Sequence, residues 1–340
     1  MFKTIDTPAL IENFDDFELL IDARSPSEYA HSHIPGAINL YALNNDEHKE
    51  VGTLYKHGSK NSAKILGASY ICQNASRHIQ FLGKEKKIGS KIAIYCARGG
   101  MRSESLGIIF SNIGYRIYKL EDGYKSFRSY VVKSLESKRQ EKFIVLGGNT
   151  GCGKTEIIKK CKNAINLEGL ANHFGSSFGA INGEQPSQKM FQNRLFFALL
   201  KVNKNWPVII ESESKRIGSI ILPDSLYKAM QEGIRVEVKA PFEQRIERIL
   251  RDYKKIDRNF FYKGMEKISP YIKKSLKLQA IEAFEKNELK QVAAILLLEY
   301  YDKVYKKPSK IDFQIDNSNL QKALESLDQI SLHVKQKYIH

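Results

Sequence analysis

Two glycine-rich stretches, about fifty residues apart, carry side chains suited to anion chemistry. The first is Tyr95-Cys96-Ala97-Arg98-Gly99-Gly100-Met101-Arg102-Ser103. An apolar run, Lys91 to Tyr95, leads into it, and a helix-like run follows from Ser103 to Ser111. A cysteine at a strand end, before a helix N-terminus, gains converging backbone N–H groups and positive potential, both of which favour thiolate. Arg98 and Arg102 add charge-assisted donors, and Gly99 and Gly100 permit a tight backbone path. Cys96 is therefore the candidate nucleophile, within an anion loop of Arg98, Gly99, Gly100 and Arg102. The spacing from Cys96 to Arg102 is Cys-x5-Arg, which also suits a cysteine-dependent phosphatase.

The second stretch, Gly148-Asn149-Thr150-Gly151-Cys152-Gly153-Lys154-Thr155, fits the Walker A pattern and follows a strand-like run, Phe143 to Gly147. Its backbone, with Gly148, Gly151, Gly153, Lys154 and Thr155, is expected to cradle a pyrophosphate or nucleotide. Val208-Ile209-Ile210-Glu211 has the form of a Walker B strand, so Glu211 or Glu213 is the candidate acid or Mg²⁺ partner. No dedicated metal-binding cluster is read from the sequence, and the four cysteines (Cys72, Cys96, Cys152, Cys161) show no Cys-x-x-Cys spacing.

The elements around these loops predict an α/β protein. Residues 1–130 read as a small domain with a mainly parallel sheet, and 131–141 as a charged helical connector. Residues 142–240 read as a P-loop α/β domain, and 241–340 as a mostly helical, basic region with a late extended piece at Ile311 to Ile315. The net charge is +16, of which +5 falls before residue 141 and +11 after it, in stretches such as Arg245 to Arg258 and Lys303 to Lys310. A surface so basic favours a polyanion such as RNA. No apolar run reaches the length of a membrane span and no signal-peptide core is present, so a cytoplasmic protein is expected.

The first domain resembles the rhodanese family. Leu20-Ile21-Asp22-Ala23-Arg24-Ser25-Pro26-Ser27-Glu28-Tyr29, His33-Ile34-Pro35-Gly36-Ala37-Ile38-Asn39 and Glu121-Asp122-Gly123-Tyr124 match that family's motifs in order. Asp122 and Tyr124 are departures, and Tyr95 stands where the related phosphatases have His. The resemblance implies a rhodanese-like fold and a persulfide-type chemistry on Cys96.

Over a longer span, from about residue 15 to at least 250, the chain resembles the tRNA 2-selenouridine synthase family. The two loops carry this resemblance together with Asn166 to Gly179, Gln185-Pro186-Ser187-Gln188, Phe191-Gln192-Asn193 and Glu211 to Gly218. Phe174 stands where that family usually has Arg, and Ala97 where it has an aromatic. The resemblance implies a two-step exchange on the wobble uridine in the anticodon region of tRNA. Geranyl diphosphate alkylates the 2-thiouridine sulfur, and selenium from selenophosphate then displaces the S-geranyl group, with a perselenide on Cys96. The enzyme would thus be a selenium transferase with tRNA geranyltransferase activity. The P-loop would hold the pyrophosphate of geranyl diphosphate, with ATP the other candidate ligand. The basic second half would meet the tRNA backbone, with Tyr253, Phe260, Phe261 and Tyr262 as candidates for stacking a base. The other readings are a P-loop NTPase or kinase regulated by a rhodanese or phosphatase-like domain, and a non-catalytic RNA-binding protein. No oligomeric state is implied.

Overall fold

The computed structural model describes residues 2–181, 183–254, 256–305 and 310–338. Residues 306–309 of the basic stretch Lys303 to Lys310 lie outside the described residues. The chain forms two units, one of residues 1–134 with 192–196, the other of residues 135–191 with 197–340. Among the described residues no helix is long and apolar enough to cross a membrane.

The first unit runs β1 (Phe2–Ile5), α1 (Thr7–Glu12), β2 (Leu19–Asp22), α2 (Pro26–His31), β3 (Ile38–Asn39), α3 (Asn45–His57), α4 (Lys60–Glu85), β4 (Lys91–Tyr95), α5 (Met101–Asn112), β5 (Arg116–Leu120) and α6 (Gly123–Glu136). Its five strands are all parallel, in the order β1-β5-β4-β2-β3. A parallel sheet with both faces covered needs apolar residues in succession rather than in alternation. β4 obeys this, since Ile92, Ala93, Ile94 and Tyr95 are all buried. Residues 131–136, expected as part of a separate connector, are the last turns of α6.

The Asp-x-Arg and Ser-Pro-x-Glu residues of the sequence motif have structural tasks. Asp22 is fully buried at the end of β2 and accepts from Nε and Nη2 of the Arg24 guanidinium, with Nη2 at 2.6 Å. Arg24 also donates to the Ser32 carbonyl at 2.6 Å and lies 3.9 Å from the Tyr124 ring centroid. Ser25 and Glu28 form a capping box that starts α2, with Pro26 in the first turn.

The second unit runs β6 (Phe143–Gly147), α7 (Lys154–Lys160), β7 (Ala164–Ile165), α8 (Leu167–Ala171), α9 (Gln188–Lys201), β8 (Val208–Glu211), β9 (Arg216–Ile217), β10 (Ile220–Ile221), α10 (Asp224–Gln231) and β11 (Ile234–Lys239). It continues with α11 (Phe242–Asp252), α12 (Arg258–Ile268), α13 (Lys274–Glu285), α14 (Leu289–Leu296), a π-helical turn (Leu297–Tyr301), α15 (Asp302–Val304), β12 (Phe313–Asp316) and α16 (Leu320–Tyr338). The main sheet is parallel, in the order β12-β11-β6-β8-β7. The late extended piece of the sequence is thus an edge strand of the P-loop sheet, paired with β11 from Val236–Phe313 to Lys239–Asp316. Ile144, Leu146, Val236, Val238 and Ile315 fill its core with Leu327 and Val334 of α16.

Helices α12 to α14 build a second apolar core. Phe261 is 1% exposed and stacks on Phe284, their centroids 3.8 Å apart. Tyr253 and Phe260 pack against the same cluster, and the Tyr262 hydroxyl donates to Glu285. Phe261, expected as a base-stacking candidate, is enclosed in this core, because the amphipathic helix around it buries its apolar face.

In each unit the central strand, β4 or β6, delivers one of the two glycine loops at the carboxyl edge of the sheet. That edge is where open parallel sheets place ligands. In the first unit the cysteine loop is held by the turn after β5. The Tyr124 and Lys125 amides donate to the Cys96 and Ala97 carbonyls at 2.8 and 3.0 Å. Gly123, at φ +58°, has no room for a side chain, since a Cβ would overlap the Cys96 carbonyl oxygen. Gly123→Ala should therefore destabilise the protein by about 2–4 kcal/mol through strain and overpacking. Urea unfolding of the variant checks this, and a loss under 1 kcal/mol would show that the turn does not brace the cysteine loop (about one kcal/mol being an average substitution).

Candidate functional site

Cys96 lies one residue beyond β4 and is 3% exposed. The buried Ser103 hydroxyl, on the first turn of α5, lies 3.2 Å from the Cys96 sulfur and is placed to donate to it. The same hydroxyl lies 3.2 Å from the Gly100 carbonyl, and the sulfur lies 3.6 Å from that carbonyl. The sulfur thus faces a hydroxyl and a carbonyl at the head of α5. Gly99, at φ +63°, fits against the Asp122 amide, 2.9 Å from where a Cβ would lie.

The two arginines of the loop differ. Arg98 is exposed. Arg102 is tied to Glu28, with Nη1 2.6 Å from the carboxylate. Burial opposes the Glu28 charge, but the hydrogen bond and charge of Arg102 outweigh it and hold the carboxyl below its ordinary range. Ser103 was not among the residues picked out as chemical in the sequence. A serine in a helix's first turn usually signals capping, and only the fold aims it at the sulfur.

In the second unit the Walker-type loop is built by steric exclusion. A Cβ on Gly148 (φ +138°) would overlap the Val238 carbonyl oxygen, and one on Gly151 (φ +79°) would lie 2.8 Å from that of Arg245. Gly153 (φ +89°) lies against the Asn317 side chain, whose Nδ2 donates to the Cys152 carbonyl at 2.9 Å. The Gly148 amide donates to the Tyr305 hydroxyl at 2.8 Å. Lys154 folds back, its Nζ 2.8 Å from the Gly148 carbonyl. Burial weakens the Lys154 ammonium, yet the negative surroundings of Cys152, Glu168 and Glu213 outweigh it and raise its pKa.

Three carboxylates gather beside this loop. Thr155 Oγ1 donates to Glu168 at 2.8 Å. Glu211, at the end of β8, accepts the Leu167 amide at 2.8 Å, and its Oε1 is buried without a hydrogen-bond partner. Burial raises the Glu211 pKa well above the ordinary value, with the Glu168 charge adding to it. Glu213 hydrogen-bonds Glu168, and burial and that neighbouring charge push it up to about 8. Burial likewise raises Glu168. Two adjacent carboxyls of this kind hold one proton between them at neutral pH. A Cβ on Gly175 (φ +64°) would lie 2.9 Å from the Glu213 oxygens and 3.2 Å from Glu168 Oε1.

The structure thus brings Gly148, Gly151, Gly153, Lys154 and Thr155 together with Glu211 and Glu213, and adds Glu168. The polar stretch from Asn166 to Gly179, which reads as an ordinary turn, supplies Glu168 and Gly175. Part of the basic stretch is turned inward. Arg245 is buried, donates through Nε to the Thr150 carbonyl at 2.9 Å and makes a two-pronged pair with Asp302. Asn149 reaches the same Asp302 at 2.9 Å, and Arg248 donates to the Asn317 carbonyl at 2.9 Å. Basic spacing alone does not separate such internal clamps from a solvated face.

The raised Glu213 carboxyl gives stability a defined pH dependence. Below the ordinary glutamate value of 4.5 it is protonated whether folded or unfolded. Between 4.5 and about 8 only the unfolded chain ionises, so folded stability falls as pH rises through that window. Glu213→Gln should shrink the drop in Tm between about pH 5 and about pH 8. Melting curves by circular dichroism at both pH values check this, and an unchanged drop would remove Glu213 from the shared-proton pair.

Two family models match the chain. Residues 6–130 match a rhodanese-like domain, and residues 141–279 match the tRNA 2-selenouridine synthase AAA domain. A tRNA 2-selenouridine synthase of Pseudomonas fluorescens (strain Pf0-1) is 40% identical over 239 residues, covering 69% of this chain and 65% of that protein. One of Psychromonas ingrahamii is 34% identical, over 69% of this chain and 64% of its own. The matched region therefore spans a little under two thirds of those relatives. One of Pseudomonas aeruginosa (strain LESB58) is 36% identical over 278 residues, 78% of this chain and 75% of that protein. With the cysteine loop, the Walker-type loop and these matches in one order along the sequence, the chain belongs to the tRNA 2-selenouridine synthase family.

Proposed function

We propose that this protein converts 2-thiouridine at the wobble position of tRNA to 2-selenouridine, through S-geranyl-2-thiouridine. The observation that carries the reading is the seating of Cys96, its sulfur beside the Ser103 hydroxyl at the head of α5, in a chain that also holds a complete Walker-type loop. In the first step the thiocarbonyl sulfur attacks C1 of geranyl diphosphate. The C1–O bond breaks, pyrophosphate leaves, and the uridine N3 proton passes to a base. Lys154 and the loop amides stabilise the charge that grows on the leaving pyrophosphate. Alkylation turns a poor leaving group into a good one.

In the second step selenium, supplied by selenophosphate and carried on Cys96 as a perselenide, attacks C2 of the base, and geranyl thiol leaves. A thiol then reduces the remaining bond between Cys96 sulfur and selenium. Loading Cys96 breaks the P–Se bond, water taking the phosphoryl group as phosphate, and forming the S–Se bond removes two electrons, which a disulfide accepts; release by thiol returns them, so a thiol–disulfide couple closes the cycle. Arg98 and Arg102 suit the phosphate of selenophosphate. The basic second half of the chain suits the tRNA backbone, and such an enzyme would work in the cytoplasm.

The oxygen-rich donor set at the P-loop fits Mg²⁺, and the unpartnered Glu211 Oε1 is the observation that favours it. Among the described residues no three His, Cys, Asp or Glu side chains form a ready-made metal cage. Thr155, Glu211 and Glu213 would therefore supply part of the shell, and phosphate oxygens and water the rest. Bound there, Mg²⁺ would neutralise charge on the diphosphate.

Cys96→Ser should abolish 2-selenouridine formation while geranylation stays within about threefold of wild type. Nucleoside mass spectrometry of tRNA after incubation with selenophosphate and geranyl diphosphate measures both. Continued 2-selenouridine formation by the variant would refute a carrier role for Cys96. Lys154→Ala should slow geranylation by about 10²-fold, the usual loss for one preorganised cation or donor at a developing anion. Rapid ATP hydrolysis without tRNA, lost in Lys154→Ala, would favour a regulated NTPase or kinase instead.

A further inference from the structure

The second unit contains an apolar cavity whose rim begins on the Walker-type loop. Thr150 of the loop forms part of its wall. Leu250 of α11, Phe261 of α12, Val292 and Leu296 of α14, and Tyr253 are among the other wall residues. Among the described residues no charged side chain lines it. The Tyr253 hydroxyl is 3.2 Å from the Ser176 hydroxyl and so already has a partner.

Two fastenings hold this cavity in register with the phosphate cradle. The first is Arg245 on α11, which donates to the Thr150 carbonyl and is locked by Asp302, so the helix carrying Leu250 cannot shift independently of the loop. The second is the short loop from His173 to Gly179. A Cβ on Gly175 of that loop would crowd the Glu168 and Glu213 carboxylates, and Phe178, three residues on, is a wall of the cavity. Phe178 fits against α12 only because position 264 is glycine, where a Cβ would overlap its ring.

We infer that this cavity receives the hydrocarbon tail of a prenyl diphosphate whose head lies in the Walker-type loop. The proposal rests on the geranylation reading above and adds where the chain lies. A nucleoside seated in the same place would leave its base donors and acceptors unpaired against apolar walls, which is costly. A branched hydrocarbon loses nothing there and gains by leaving water. The wall residues would then set the chain length accepted.

Calorimetric titration of the full-length protein with geranyl diphosphate, and separately with inorganic pyrophosphate, tests this. Wild type should bind geranyl diphosphate at least about tenfold more tightly than pyrophosphate, the tail supplying the difference. Ala293→Phe projects a ring into the cavity, and should erase that advantage while pyrophosphate binding stays within about twofold. Retained pyrophosphate binding also shows that the variant is folded. Leu296→Ala, which enlarges the cavity, should move the preference from geranyl towards farnesyl diphosphate, giving a second reading if Ala293→Phe fails to fold. Equal affinity of wild type for the two ligands would overturn the proposal, as would tighter binding of ATP that Ala293→Phe removes. A tail advantage without any alkylated tRNA would leave the cavity assignment standing and refute the geranyltransferase reading.

Discussion

Much of the second unit depends on where the Arg245 guanidinium is spent. Nearly buried, it bonds the Thr150 carbonyl on one side and both oxygens of Asp302 on the other. A buried charge pair of this kind is poor evidence for net stability, since desolvation consumes much of the attraction. Its value is positional. Removing either partner strands a charge in a low-dielectric site, so the loop, α11 and α15 are obliged to keep one arrangement. Asn149 joins the same carboxylate and extends the constraint along the loop. The phosphate cradle and the apolar helices beside it are therefore one rigid construction, although the sequence shows them as a glycine motif and a distant basic helical region.

The first unit solves the corresponding problem with backbone alone. The cysteine loop is seated by two amide–carbonyl bonds from the turn after β5 and by a glycine that leaves no space to spare. Charged groups there serve a different end. Asp22, Arg24 and Tyr124 stack and bond into a block at the carboxyl edge of the sheet, so the residue following Gly123 is held from both its backbone and its ring.

The parts legible in the sequence are those governed by short-range rules. Continuous apolar runs give β4, β6 and β8, and glycine spacing gives both loops, because each depends on neighbours a few residues away. Cys96 and Lys154 follow directly from that spacing. What stays hidden is whatever depends on long-range assembly. Arg245 looks like any cation on a basic helix until Asp302 is seen opposite it. Glu168 sits in a stretch whose composition is that of a loop, and its place beside Thr155 and Glu213 comes from α8 packing near the end of β8. Phe261 and its neighbours look available because aromatic residues among lysines read alike on a surface or in a core. The amphipathic period decides the matter only once helices are there to cover the apolar face.

The placing of β12 and Asn317 bears on the order of assembly. The Asn317 amide closes over the loop at Cys152 and Gly153, about 165 residues away along the chain. Its strand joins the sheet edge after the whole helical region has been traversed. A ribosome releases the glycine loop long before the residue that completes it. The nascent second unit must therefore wait with an unpaired β11 edge exposed, the situation in which slow, non-local sheets are most open to mispairing. A cradle finished last is also one that a fragment ending before β12 would lack, even with every residue of the Walker pattern intact.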